Sequence, residues 1–79
     1  MKVTVRMFSH FQNYLPSQAK RDKCLIETET GTTISALLKQ LGIPEDMARV
    51  ITVNDTNRKE DFVLNDTDMV KIFPAAMGG

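Results

Sequence analysis

The chain has 79 residues, one cysteine, and 10 acidic against 10 basic residues, so its formal net charge is zero. Neutrality argues against nucleic acid as the main partner, because phosphate binding needs a basic excess, and against electrostatic anchoring to a membrane surface. A single domain of this length lies near the lower limit for a self-sufficient core, no disulfide can reinforce it, and large internal catalytic clefts are uncommon in so short a chain.

The chain opens with alternation. Over Lys2 to Phe8, Val3, Val5 and Met7 fall on one side and Lys2, Thr4, Arg6 and Phe8 on the other, which predicts a half-buried strand. A turn is expected from Ser9, with Phe11, Tyr14 and Leu15 folding back as a cap on the core and Pro16 ending the segment. Ser17 to Asp22 is polar and basic and reads as an exposed hairpin loop. Lys23 to Glu29 alternates again, with Cys24, Ile26 and Thr28 on one face, so the first two strands form an antiparallel hairpin. Thr32 or Thr33 is placed to cap a helix whose apolar residues Ile34, Leu37, Leu38 and Leu41 follow the spacing i, i+3, i+4, i+7. Gly42 supplies the left-handed stop and Pro44 prevents continuation. Glu45 to Arg49 reads as a turn, Val50 to Val53 as a third strand ended by Asn54-Asp55, and Thr56 to Asp61 as a loop. Phe62 to Leu64 is expected as a brief strand and Asn65 to Asp68 as a turn. Met69 to Phe73 is the last strand, with Val70 and Ile72 inward. One helix crossing a mixed sheet is an α+β layer solution. Covering the first and last strands with that helix requires them to be central neighbours, which is the β-grasp (ubiquitin-like) arrangement. The expected organisation is a β-grasp domain over 1–74 and a flexible tail over 75–79.

The N-terminal residues alternate where a secretory signal would need an unbroken apolar stretch, and no run approaches the length of a membrane span. A single free cysteine suits a reducing compartment. The expected location is the cytoplasm.

Most reactive side chains have a plain structural explanation. His10 has no orienting partner or nucleophile near it in sequence and reads as an exposed turn residue. Cys24 falls on the inward face with Ile26, away from adjacent Lys23, and reads as a small core residue. Asp66 and Asp68 lack the longer ligand series of a calcium loop and are explained by side-chain to backbone bonds in a turn. No metal site, phosphate-binding loop or bound cofactor is expected.

The tail is different, because it ends in Gly78-Gly79. At a glycine frequency of about 7%, two terminal glycines occur by chance in roughly 0.5% of chains, a modest signal alone. It gains weight from the element order, since the last strand runs directly into the tail from the middle of the sheet. A glycine arm has no Cβ and can thread a narrow channel into another protein's active site. Its terminal carboxylate can be activated by transfer of AMP from ATP. Sulfur attack then gives a thiocarboxylate, and amine attack an amide. Nothing in this chain binds ATP, so an activating enzyme must use it.

Asp66-Thr67-Asp68-Met69-Val70-Lys71-Ile72-Phe73-Pro74 followed by Gly78-Gly79 resembles the MoaD/ThiS family, comprising the molybdopterin-synthase small subunit and the thiamine-pathway sulfur carrier. The resemblance covers essentially the whole chain, with supporting matches at Thr33 and Val53-Asn54. The family usually has Asp-Gly-Asp and Phe-Pro-Pro, where this chain has Thr67 and Ala75 in place of a glycine and the second proline. The resemblance implies a non-enzymatic sulfur carrier, with Gly79 adenylated and then thiocarboxylated and Gly78 as a narrow spacer. Phe73-Pro74 resembles the molybdopterin branch more than the thiamine branch. Implied partners are a ubiquitin-activating-type adenylyltransferase, a sulfur-donor enzyme, and the molybdopterin synthase large subunit or thiazole synthase. Alternatives are a protein modifier joined through Gly79 to lysines, and a β-grasp binding module with incidental glycines.

The alternation also predicts a docking surface. Phe8, Met69 and Phe73 should share the sheet face that the helix leaves open, with Arg6 and Lys71 flanking them. Pro74 and Met77, at and beyond the root of the tail, complete the expected partner-contact set. The competing reading has Phe11, Tyr14 or Leu15 folding over that patch and burying it.

Overall fold

The computed structural model describes residues 1–16, 22–44, 46–47 and 49–75, apart from the side chains of Ser9 and His10. The expectations for the 17–21 loop, for Met77 and for Gly78-Gly79 lie outside the described residues. So does the reading of the His10 side chain.

Strand β1 (Lys2–Met7) is followed by a 3-10 helix (Ser9–Tyr14), β2 (Lys23–Glu27), helix α1 (Ile34–Leu41), β3 (Arg49–Val53), β4 (Thr56–Asn57) and β5 (Met69–Pro74). The five strands form one sheet in the order β2-β1-β5-β3-β4. β1 and β5 are parallel central neighbours, while β1–β2, β3–β5 and β3–β4 are antiparallel. This is the α+β, β-grasp topology that the element order requires.

Alternation explains the core. Val3, Val5 and Met7 of β1 and Val70 and Ile72 of β5 are fully buried, together with Phe11, Ile34 and Leu37. Burial of that apolar area is the main stabilising term in a chain without disulfides. Cys24 is the described free cysteine and lies in the core with Ile26. Tyr14 and Leu15 pack against this core, so the segment after β1 does cap it.

The helix ends follow from local chemistry. Thr33 has extended backbone angles, and its hydroxyl accepts a bond from the Ala36 N–H at 3.2 Å. Gly42 has φ +79, its N–H donates to Lys39 C=O, and Ile43 N–H donates to Leu38 C=O at 3.0 Å. These paired bonds are a Schellman ending, with buried Ile43 as its apolar anchor.

Several boundaries differ from expectation. β1 stops at Met7 and β2 at Glu27. Arg49 begins β3 instead of ending a turn; its guanidinium donates to Pro44 C=O and Met47 C=O and pairs with Glu60. Thr56-Asn57 is a strand, not the start of a loop. Asn54 and Asp55 have φ +52 and +71 and form a two-residue hairpin connection between Val53 and Thr56. Phe62 to Leu64 makes no strand of its own; Val63 contributes only an isolated bridge to Thr33. This stretch is held instead by bonds from Ile34 N–H to Phe62 C=O and from Leu64 N–H to Thr32 C=O.

Candidate functional site

The helix covers one face of the sheet and leaves the other open. Opposite residues in a ladder share a face, so the registers define what the open face presents. Thr4 lies opposite both Leu25 and Met69. Arg6 lies opposite both Lys23 and Lys71, and Lys71 is opposite Thr52. Phe73 is opposite Val50. The face is therefore built in rows across the strands. An apolar row (Leu25, Met69) and an aromatic row (Phe8, Phe73, Val50) enclose a cationic row (Lys23, Arg6, Lys71).

Phe8 follows β1 but stays attached to β5, because its N–H donates to Ile72 C=O at 3.2 Å. That bond sets its ring beside Phe73. The two rings stack with centroids 4.6 Å apart and planes 4° from parallel. The Arg6 guanidinium lies over the Phe8 ring at 5.0 Å, a cation–π contact. Arg6 Nη2 also donates to Asp22 Oδ2 at 2.7 Å. That bond holds the Asp22 carboxyl below its ordinary value; partial desolvation opposes the shift, and the Arg6 charge adds to it. Lys71 Nζ pairs with Asp55 Oδ1 at 2.9 Å.

The structure thus brings Arg6, Phe8, Met69, Lys71 and Phe73 onto one face. Two details correct the expectation, and a third places Pro74 at the root of the tail. Arg6 and Lys71 do not flank the apolar residues; they run between Met69 and the Phe8–Phe73 pair, because Arg6 faces Lys71 one alternation after the Thr4–Met69 pair and one before Phe8 and Phe73. The phenylalanines are half-buried rather than open to water, since each covers the other. Pro74 alternates away from Phe73 and lies opposite Arg49. The face also gains two residues that the alternation of β1 and β5 could not supply, Leu25 at 58% exposure and Val50 at 39%. Their signal was local: each is the outward apolar residue in its own alternating strand. Phe11, Tyr14 and Leu15 pack on the core, not over this patch.

The root of β5 is fastened by the turn before it. Asp68 is 7% exposed, and both its oxygens are satisfied: Oδ2 by Asn65 N–H at 2.8 Å and Oδ1 by Asn54 Nδ2 at 2.9 Å. Asn54 Oδ1 in turn accepts from Met69 N–H at 2.9 Å. Asp66 Oδ1 accepts from Lys2 N–H, and Thr67 N–H donates to Lys2 C=O, both at 2.8 Å. This network ties the starts of β1 and β5 together and gives the two aspartates structural work. Among the described residues no group of three or more His, Cys, Asp or Glu could hold a metal ion, and no helix is long and apolar enough to cross a membrane.

Parallel central strands, one covering helix and this order of strands define a β-grasp, ubiquitin-like protein. The chain belongs to the Mut7-C ubiquitin family, whose model matches residues 1–77. No curated protein sequence matches it. Among solved structures it is similar to a protein assigned as molybdopterin converting factor subunit 1 from Pyrococcus furiosus. The identity is 26% and the TM-score 0.74, with 95% of this chain and 98% of that chain covered. It shares its fold with SAMP1 from Haloferax volcanii, at 14% identity and TM-score 0.74 over the whole of both chains. It also shares its fold with a chain of the complex of subunits 1 and 2 of molybdopterin-converting factor from Helicobacter pylori. There the identity is 22% and the TM-score 0.62, again over the whole of both chains.

Proposed function

We propose that this protein is a ubiquitin-like sulfur carrier that donates sulfur to a pterin precursor of the molybdenum or tungsten cofactor, with the carboxylate of Gly79 as the loaded group. The observation that carries this reading is the position of β5. It is a central strand, parallel to β1, and it leaves the sheet at Pro74 directly after the Phe8–Phe73 stack. A partner gripping the open face would hold the root of the tail at the same time. Similarity to the Pyrococcus subunit over nearly the full length of both chains supports the molybdopterin branch.

In the proposed cycle the Gly79 carboxylate attacks the α-phosphorus of ATP in an activating enzyme and releases pyrophosphate. Hydrosulfide then displaces AMP and leaves a thiocarboxylate; a persulfide donor displaces AMP to give an acyl disulfide, from which a second thiol of the donor releases the thiocarboxylate by forming a disulfide with the donor sulfur. The carrier contributes no acid, base or metal to these steps. It contributes a narrow arm, in which Gly78 removes side-chain bulk next to the reacting carbon, and a docking face. Arg6, Met69, Lys71 and Phe73 would meet the activating enzyme and, in turn, a large subunit analogous to subunit 2 of the Helicobacter complex. Domain residues 1–74 would stay rigid while 75–79 reach into the partner.

Intact-mass measurement tests the reading. The chain is incubated with ATP, the native activating enzyme and a sulfur donor. Replacement of one oxygen by one sulfur, lost on deletion of Gly79 or on addition of a residue after it, is the expected result. Covalent adducts on other proteins without the sulfur exchange would favour a modifier, and an unchanged mass with competent activating enzyme would refute the carrier.

A further inference from the structure

The two edges of the sheet are unlike. β4 is two residues long and leads into the charged stretch Arg58-Lys59-Glu60-Asp61. β2 is a five-residue edge without proline, and its sequence is Lys23-Cys24-Leu25-Ile26-Glu27. Which of its backbone groups are spoken for follows from two bonds. Met7 N–H donates to Asp22 C=O at 2.8 Å, and Thr28 N–H donates to Met1 C=O at 2.9 Å. In an antiparallel ladder, residues that exchange bonds with the neighbour alternate with residues that turn their N–H and C=O away. Cys24 and Ile26 therefore address β1, whereas Lys23, Leu25 and Glu27 address the outer edge. The Gln40 side chain donating to Glu27 C=O at 3.0 Å agrees with that direction.

The side chains of these same three residues are exposed, and Leu25 is the most exposed large apolar residue among those described. Their order is cation, apolar, anion. Read backwards it is anion, apolar, cation. We infer that the β2 edge is a self-complementary docking site for β2 of a second copy of this chain, paired antiparallel about a two-fold axis through Leu25. Lys23 then meets Glu27 of the second copy, Leu25 meets its counterpart, and Glu27 meets the second Lys23. The three opposed pairs are also the three whose backbone groups point outward, so charge, apolar contact and hydrogen bonding select one register, with Gln40 releasing the Glu27 carbonyl to the Lys23 N–H of the second copy. A slip of two residues sets Lys23 against Leu25 and loses both ion pairs.

The monomer leaves part of this edge in need of partners. Lys23 lies opposite Arg6, a like charge, and the carboxylate its charge acts on, Asp22, is already hydrogen-bonded by Arg6. Paired edges remove an exposed strand that otherwise invites indiscriminate association. The axis is perpendicular to the sheet, so both open faces stay on one side, and the Phe8–Phe73 row and the root of each tail stay free. One strand pair is a small interface, so the dimer is weak, with a dissociation constant in the high micromolar to millimolar range. This inference is independent of the sulfur-carrier reading.

Sedimentation equilibrium of the full chain, with amide shifts followed over a concentration series, tests it. The expected result is reversible dimerisation with shifts centred on Leu25. Lys23→Glu or Glu27→Lys alone places like charges opposite one another at two symmetric positions and should weaken the dimer by about tenfold or more. An equimolar mixture of those two variants should associate again as a heterodimer, and the double exchange Lys23→Glu with Glu27→Lys should restore the homodimer. All three residues are exposed, so the variants keep the monomer fold, which unchanged amide dispersion verifies. A monomer at millimolar concentration, shifts mapped to another surface, or a dimer indifferent to these charges would overturn the inference.

Discussion

The two faces of this sheet use the same strands for different ends. On the helix side, every inward residue of β1 and the two inward residues of β5 between Met69 and Phe73 are fully buried. On the open side, residues one position away are half-buried, charged or aromatic, and rest on one another rather than on a second layer. A 79-residue chain has little apolar surface to spare, so the first face carries stability. The second keeps apolar rows beside cations, a composition suited to a partner that arrives later.

The sharpest way to break the comparison is to remove matched side chains from neighbouring positions. Ile72→Ala opens a cavity under the helix and should cost about 2–5 kcal/mol in urea unfolding. Phe73→Ala, the next residue, loses a ring stack and partial burial and should cost only about 1–2 kcal/mol. Equal losses would show that the open face is a second core. In a domain this small, about 1 kcal/mol moves the thermal midpoint by roughly 4–8 °C, so calorimetry separates the two.

A smaller effect sharpens the account of the turn that roots β5. Thr67 has φ +71, a left-handed conformation that a β-branched residue adopts only under strain. It is held there because its N–H must reach Lys2 C=O. Thr67→Gly should therefore raise stability by about 0.5–1 kcal/mol, as the relieved strain exceeds glycine's extra backbone entropy. A loss of stability would mean that the threonine side chain contributes contacts of its own.

The smallest effect belongs to the ion pair on the open face. Asp22 is held below its ordinary value of 3.8 by the Arg6 hydrogen bond. A lowered carboxyl stabilises the folded state above the unfolded value, and that contribution disappears as pH falls through the folded one. Asp22→Asn should thus flatten the stability profile only below about pH 4 and leave the profile above it parallel. A changed slope near neutrality would assign the effect to another group.

Much of this was legible in the sequence because its causes are local. Alternation in β1 and β5, the Thr33 and Gly42 caps and the bond from Asn65 N–H to Asp68 each depend on a few adjacent residues, whereas the bonds of Asp66 to Lys2 and of Asp68 to Asn54 join distant parts of the chain. The central pairing of β1 and β5 also followed, since one helix can cover both strands only in that order. What escaped depends on register. Whether Arg6 and Lys71 flank the apolar residues or run between them is set by which residues face each other across strands whose paired positions lie 65 apart in the chain. The β4 hairpin was missed although Asn54-Asp55 is a fitting two-residue turn, because two polar strand residues carry no apolar alternation. The places of Leu25 and Val50 on the open face were missed because each lies on a strand other than β1 and β5, whose patterns defined the patch.

The central claim is that the open face, and not the helix side, is where the protein is held while its tail is served. Chemical-shift mapping of the isotope-labelled chain against its native large subunit tests this most directly. The account predicts that the largest changes fall on Arg6, Phe8, Val50, Met69, Lys71 and Phe73, with Ala36, Lys39 and Gln40 of α1 unmoved. Changes concentrated on α1, with the Phe8 and Phe73 signals untouched, would contradict it.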